Sequence, residues 1–250
     1  MKIIRFQHKS QIQFGWLKES EIGLIEGDIF SEYRRLETEL PIERVKLFAP
    51  VTPGKIICVA RNYEEHAREH QAEIPEYPMI FLKPPSAVIS NGEAIRIPPQ
   101  SNQVEHEAEL AVVIRKTGKW IAPEDVKSYI LGYTIANDVS ARDLQYKDGQ
   151  WTRAKGFDTF CPLGPWIETD LDPSDLMISC RVNGELRQMS STKEMIFPVT
   201  QLVSYISSIM TLLPGDVVLT GTPAGVDKLE AGDNVEISIE GIGVLTNPVV

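Results

Sequence analysis

The chain has 250 residues, with 35 acidic against 25 basic side chains, a formal net charge of −10, and 42% hydrophobic to 24% charged residues. That length buries a full core and the mix is globular rather than disordered, while the acidic balance argues against nucleic acid, whose phosphates need clustered Lys and Arg. No apolar run approaches the ~20 residues of a membrane-spanning helix, so no membrane partner is expected.

Residues 1–49 read as a small β unit. Arg5 interrupts its apolar start, leaving no signal-peptide core. Ile12, Phe14 and Trp16 alternate with Gln11, Gln13 and Gly15, the period-2 signature of a half-buried strand. Glu19–Glu21 and Glu26–Asp28 are turns between further short strands. A boundary falls near Pro50, and residues 50–250 form the second unit. Lys55–Ala60 is nearly continuous in apolar residues, as in a strand buried on both faces. Asn62–Ala72 is polar and free of Gly and Pro, which predicts a short helix with little apolar face; the prolines at 75 and 78 end it.

Pro84-Pro85 and Pro98-Pro99 punctuate short strands and loops, and Val104–Arg115 reads as one long strand. Pro123-Glu124-Asp125 opens a short helix, with acids near the positive end of its dipole. Val199, Leu202, Val203, Ile206 and Ile209 follow helical spacing, so 198–210 is an amphipathic helix. Asp216–Thr220 and Asn234–Ile239 are strands, each entered by a Gly-Asp turn. Many short strands, few helices and no regular βαβ alternation predict a sheet-rich α+β fold. Cys58, Cys161 and Cys180 are odd in number and in no C-x-x-C pair. They fit a reducing, cytoplasmic setting and not disulfides or a zinc cage, and Cys58 and Cys161 are expected in buried packing roles.

Side chains two apart on a strand share a face, so one long strand puts Glu105, Glu107 and Glu109 on the same side. That face continues into Ala111 and Val113, and the other carries Leu110, Val112 and Ile114. The glutamates therefore approach a core, where crowded carboxylates need a cation or a proton. A solvated strand end is the plainer alternative. Asp138 follows the strand-like Gly132–Asn137 and precedes the helix-like Ser140–Tyr146; such an acid is either a helix cap or a ligand. With Glu107 and Glu109 it makes an all-oxygen set suited to Mg²⁺ or Mn²⁺ and poorly to zinc, with coordination positions open to substrate.

His66 and Glu69 are helix neighbours, and a carboxylate that orients an imidazole makes a general base near neutral pH. An exposed charged helix with an incidental His explains the same residues. His66-Ala67-Arg68-Glu69-His70 also spells H-x-x-E-H, the pattern of one class of zinc peptidases. Such a site needs a well-anchored helix. This one has only Tyr63 and Ala67 as apolar face, and a peptidase leaves the carboxylate set without a role.

Several ordered blocks resemble the fumarylacetoacetate hydrolase family: Arg61-Asn62-Tyr63 with His66 and Glu69; His106-Glu107-Ala108-Glu109-Leu110; Asn137-Asp138-Val139-Ser140-Ala141-Arg142-Asp143; Lys155-Gly156-Phe157-Asp158; Cys161-Pro162-Leu163-Gly164-Pro165; Leu213-Pro214-Gly215-Asp216; and Thr220-Gly221-Thr222-Pro223-Ala224-Gly225-Val226. The resemblance spans Pro53–Pro248. It implies a mixed β-sandwich roll, a homodimer, and a divalent metal, commonly Mg²⁺, on Glu107, Glu109 and Asp138. It implies that His66 and Glu69 ride on a lid, that Lys155 stands beside the metal, and that Thr222 contacts the substrate carboxylate. Arg142 and Gln145 match polar pocket positions, and Arg61 adds local positive charge for an anionic 2-oxo acid.

The activity it implies is hydrolysis of acylpyruvate-type β-diketo acids, with a His66–Glu69-activated water attacking and pyruvate enolate leaving. Oxaloacetate decarboxylation or tautomerisation, and isomerisation of 2-hydroxyhepta-2,4-diene-1,7-dioate, are alternatives on the same site. A metal- or oxo-acid-binding regulator is the non-enzymatic one. Three carboxylates, Mg²⁺ and Lys155 bring the expected site near neutrality.

Overall fold

The N-terminal alternation folds into β1 (Lys2–His8), β2 (Gln11–Lys18), β3 (Glu21–Gly27), β4 (Tyr33–Pro41) and β5 (Lys46–Phe48). The computed structural model describes residues 1–250. β2 keeps its period of two, but its better-buried face carries Gly15 and Leu17, and Ile12 is 49% exposed. The cause is local. Phe6 and Ile22 close over Gly15, where a Cβ would lie 2.8 Å from either side chain. Leu17 joins Ile4, Phe6 and Ile22 in a small core, while Trp16 donates to the Leu36 carbonyl at 2.8 Å.

There follow β6 (Ile56–Ala60), α1 (Glu64–Glu69), β7 (Met79–Lys83), β8 (Val88–Ile89), β9 (Val104–Glu105), β10 (Ala108–Ile114), a 3₁₀ segment at Pro123–Tyr129, and β11 (Ile130–Asn137). Then come β12 (Ser140–Ala141), α2 (Arg142–Asp148), α3 (Thr152–Lys155), β13 (Cys161–Glu168), β14 (Met177–Val182), β15 (Glu185–Ser191), α4 (Val199–Ile209), β16 (Val217–Leu219), β17 (Asn234–Ile239) and β18 (Gly243–Pro248). The large sheet runs β4-β3-β2-β1-β13-β11-β10-β16-β6-β7, and β15-β14-β17-β18 form a second sheet. β1 joins β13 through Lys2 opposite Glu168 and Ile3 opposite Ile167, so the N-terminal strands continue the sheet of residues 50–250.

The central strands have no solvent face. On one side Ile57, Val59, Leu110 and Val112 pack with Ile178 and Ile237 of the second sheet and with Leu202, Val203 and Ile206 of α4. On the other, Ile56, Cys58, Ala111 and Val113 meet Ile3, Val51 and Leu163. Two facing sheets with a helix laid on the core make a mixed β-sandwich roll of the α+β class. Truncating a core residue such as Leu202 to Ala costs about 2–5 kcal/mol. All three cysteines are buried and free, and burial pushes the Cys161 and Cys180 thiols up to about 12, so they act as inert packing. No helix is long and apolar enough to cross a membrane.

Two local expectations are corrected. The strand expected over 104–115 is broken at His106–Glu107, where the backbone leaves the ladder for other partners. Glu107 N donates to Asn137 Oδ1 at 2.9 Å, Ala108 N to Gln188 Oε1 at 3.1 Å, and His106 N to the Asp227 carbonyl at 3.4 Å. β9 therefore pairs with β12, while β10 pairs with β11 and β16. A break in register ends the shared face, so Glu105 does not line up with Glu107 and Glu109. The helix expected over 62–72 contracts to α1, with left-handed residues at both ends, Arg61 (φ 56°) and Gln71 (φ 52°).

Candidate active site

Glu107 sits at the break before β10, Glu109 within β10, and Asp138 just beyond the end of β11. One backbone bond, Asp138 N to the Glu107 carbonyl at 2.9 Å, fixes the two strand ends against each other. The three side chains are buried, and each offers a carboxylate oxygen within 4.8 Å of the others.

Buried charge of this density needs compensation, and the structure supplies it unevenly. Lys155 donates to Glu107 Oε2 at 2.8 Å and to Asp138 Oδ2 at 2.7 Å. Lys83, fully buried at the end of β7, donates to Asp138 Oδ1 at 2.5 Å and to the Val139 carbonyl at 3.0 Å. Arg142 bridges Glu105, at 2.7 Å, and Glu107, and also donates to Gln145 Oε1 at 2.5 Å. Glu105 thus serves as Arg142's outer partner. Burial pushes the Glu107 carboxyl up, but Lys155 and Arg142 outweigh it and hold it well below the usual range. Burial likewise pulls the Lys155 ammonium down, and Asp138 and Glu107 more than restore it, so it remains charged.

Glu109 is the exception. It has no cationic partner and accepts only from Gly221 N, at 2.6 Å. Burial, then Asp138 and Glu107, push its carboxyl well above the ordinary range. A buried carboxyl without a cation, converging with two others, is where a dication fits, and the all-oxygen donor set suits a hard one. The acidic triad can hold a divalent metal.

A cavity of about 130 Å³ opens from the triad. Arg142, Lys155, Arg61, His66, His70, Phe81, Gln145, Tyr146, Trp151 and Thr222 also line it, with Val59 and Ala60. Arg61 reaches it because the chain turns at a left-handed residue, a strain of ~1–3 kcal/mol that the surroundings must hold. Asn62 holds it. Its side chain donates to the Phe197 and Thr220 carbonyls at 3.0 and 2.7 Å and accepts from Phe197 N at 2.8 Å. Gly221 (φ 94°) permits that approach, since a Cβ there would lie 2.7 Å from Asn62.

On α1, His66 is 7% exposed and its Nδ1 stands 3.4 Å from Glu69 Oε2, close but without hydrogen-bond geometry. Glu69 accepts from Gly225 N at 3.2 and 3.3 Å, which ties α1 to the Thr220–Val226 loop. Burial raises the Glu69 carboxyl, but His66 and the Gly225 amide together hold it below its ordinary value.

The structure therefore brings together His66, Glu69, Glu107, Glu109, Asp138, Arg142, Gln145, Lys155, Arg61 and Thr222. The Thr222 hydroxyl is already committed, donating to the Ala108 carbonyl and accepting from Gln188 Nε2, both at 2.8 Å.

Two residues escaped the sequence reading. Lys83 ends an apolar strand before Pro84, a pattern shared by any exposed strand end. Gln188 carries no sequence signal. It reaches from β15 to accept from Ala108 N, to bond His106 Nδ1 at 3.1 Å, and to donate to Thr222 Oγ1 and, at 2.7 Å, the Pro223 carbonyl.

A buried carboxylate triad at the strand ends of a β-sandwich roll, faced by an imidazole across a small cavity, has the features of an enzyme centre. Residues 55–250 match the family described as fumarylacetoacetate (FAA) hydrolase C-terminal, and residues 1–50 match Rv2993c-like, N-terminal. The chain belongs to the fumarylacetoacetate hydrolase family. It is similar to a 2-hydroxyhepta-2,4-diene-1,7-dioate isomerase from Mycobacterium marinum, with a TM-score of 0.93 and 44% identity over 100% of this chain and 98% of that one. It is equally similar to a 5-carboxymethyl-2-hydroxymuconate delta-isomerase from Mycobacterium smegmatis, with a TM-score of 0.93 and 46% identity over 100% and 99%. The rat mitochondrial oxaloacetate tautomerase Fahd2a is 46% identical over 232 residues, 87% of this chain and 74% of that protein.

Proposed function

We propose that the protein interconverts the enol and keto forms of a small 2-oxo dicarboxylic acid of the oxaloacetate type, with Mg²⁺ or Mn²⁺ on Glu107, Glu109 and Asp138. One observation carries this reading. Among the charged residues lining the cavity, three carboxylates face the three cations Arg61, Arg142 and Lys155. A bound dication leaves two positive charges, which a dicarboxylate neutralises and a monocarboxylate does not. This replaces the near-neutral count made from Lys155 alone. At about 130 Å³ the cavity is also far smaller than the ~300–1,000 Å³ of drug-sized sites. Relatives named for oxaloacetate tautomerisation and for isomerisation point to proton transfer as well.

When bound, the dication supplies Lewis acidity toward the 2-oxo oxygen. The chain's own groups do the rest. Arg61, which has no carboxylate partner, receives the distal carboxylate. His66 moves one proton between C3 and the 2-oxygen, with the Glu69 carboxylate 3.4 Å from its Nδ1. Lys155 and Arg142 neutralise Glu107 and Asp138, so an anion can enter a site built from acids.

Enol and keto oxaloacetate differ in ultraviolet absorption, so the exchange is read directly. Acceleration should require Mg²⁺ or Mn²⁺, vanish with chelator and return on readdition. Arg61→Ala should raise KM for the dicarboxylate by about 10–100-fold, the worth of one charged contact, and leave monocarboxylates nearly unaffected. No acceleration with either metal sinks the proposal. C–C hydrolysis of acylpyruvates is the second reading, favoured by the 3.4 Å approach of His66 and Glu69 beside the cavity. Stoichiometric pyruvate release from acetylpyruvate, at rates above tautomerisation, would put it first.

A further inference from the structure

The H-x-x-E-H segment has a geometry that the proposed reaction does not use in full. His66, Glu69 and His70 each bring a donor atom within 4.8 Å of the others. The imidazoles meet edge to face with centroids 4.7 Å apart. His66 Nδ1 and His70 Nε2 are both buried and without any hydrogen-bond partner. An unpartnered nitrogen on a residue only 7% exposed carries an unmet desolvation cost that a metal would relieve. His70 Nδ1 is meanwhile bonded to Tyr146 Oη at 3.1 Å, the outer contact that fixes a ligating imidazole in one tautomer.

We propose that His66, Glu69 and His70 form a second metal site, for a borderline transition-metal dication of the zinc class, and that filling it inhibits the enzyme by withdrawing His66. The donors differ in kind from those of the triad. Two imidazole nitrogens and one carboxylate suit Zn²⁺ or Co²⁺, whereas three carboxylates suit Mg²⁺. Zinc–nitrogen bonds of ~2.0–2.1 Å require ligand atoms about 3.4 Å apart in a tetrahedron. His66 and Glu69 already stand at 3.4 Å. His70, partly exposed where α1 ends, has its donor within 4.8 Å of the other two and needs only to swing in to complete the set. In this site Glu69 is a ligand and not the base of a peptidase, and its hold on Gly225 N keeps the segment folded against the cavity. The inhibitory half rests on the reading of His66 as proton carrier; the binding half does not.

The test uses the full chain in saturating Mg²⁺, titrated with Zn²⁺ by calorimetry and with Co²⁺ by visible absorption. Wild type should bind one equivalent of zinc and give the intense d–d bands of four-coordinate cobalt. Glu109→Gln, with the triad disabled, should keep both signals. His70→Asn should weaken zinc at least tenfold and lose the bands, with its Mg²⁺ isotherm reporting that the triad is still folded. Zinc inhibition should shift by the same factor, measured against each variant's own uninhibited rate. No zinc binding in wild type overturns the site, and so does zinc lost in Glu109→Gln but kept in His70→Asn. Zinc that binds in the expected pattern without slowing turnover overturns the inhibitory half, and with it the role given to His66.

Discussion

The carboxylate triad and the two imidazoles of the His66–Glu69–His70 trio line the same cavity, yet triad and trio are held in different ways. The triad projects from the adjoining ends of paired strands, β10 and β11, and its members are fixed by Lys83, Lys155, Arg142 and the Gly221 amide. The trio rides on a six-residue helix with no side-chain cap, tied down at Glu69 by the Gly225 amide. A helix that short has little stability of its own. The fold thus builds its carboxylates into paired strands and its imidazoles onto one short turn.

The largest effect that breaks the comparison is at Glu109. Glu109→Gln removes charge without stripping a buried cation of its partner, so the variant should fold normally. Activity should fall about 10³-fold, the worth of several kcal/mol of metal catalysis, and calorimetry should find Mg²⁺ binding lost. Retained Mg²⁺ affinity would remove the triad as the metal site. On the helix side, Glu69→Gln should lower kcat by about 10–100-fold with Mg²⁺ affinity unchanged, and hydrogen exchange over 64–72 should quicken. Equal loss of metal binding would show the two regions to be one unit.

Gln188→Leu probes the link between them, because Gln188 holds both the β10 break and the Thr222 loop. Four hydrogen bonds are lost. At a few kcal/mol for buried groups left unpaired, Tm should drop by roughly 5–10 °C, with kcat falling more than KM rises.

The smallest effect is at Asp143, in the first turn of α2. Burial raises its carboxyl, but Ser101 and the Asn102 and Leu144 amides together outweigh it and lower it overall. A depressed carboxyl contributes stability above its unfolded value and loses it as pH falls through the folded one. Asp143→Asn should therefore flatten the acid limb of the stability curve below about pH 4. Because the side chain is only partly buried, the effect at neutral pH should be a small Tm shift.

The legible parts of this molecule were those that local pattern decides. The apolar run at 56–60, the spacing of α4 and the ordered motif blocks led to the fold and to every member of the triad. Glu105 was misplaced because alternation along a strand assumes that the strand continues. At His106 the ladder instead yields to Asn137 and Gln188, whose involvement depends on distant pairing. Lys83 was invisible for a related reason: its burial is set by Asp138, 55 residues away. His70 was discounted on the weakness of its helix, although convergence of the trio needs only one turn.

The antiparallel strands that open the chain carry a consequence of a different kind. Through β1 they cover the C-terminal end of the β13 flank, at Ile167 and Glu168, which otherwise presents unpaired amides and carbonyls beside the core. An open strand flank is a template for joining another chain. The sheet instead terminates at β4, where Arg34, Arg35, Glu37 and Glu39 are exposed and Pro41 ends the strand. Charge and proline discourage edge-to-edge pairing. These residues, remote from any chemistry, guard the sheet against aggregation.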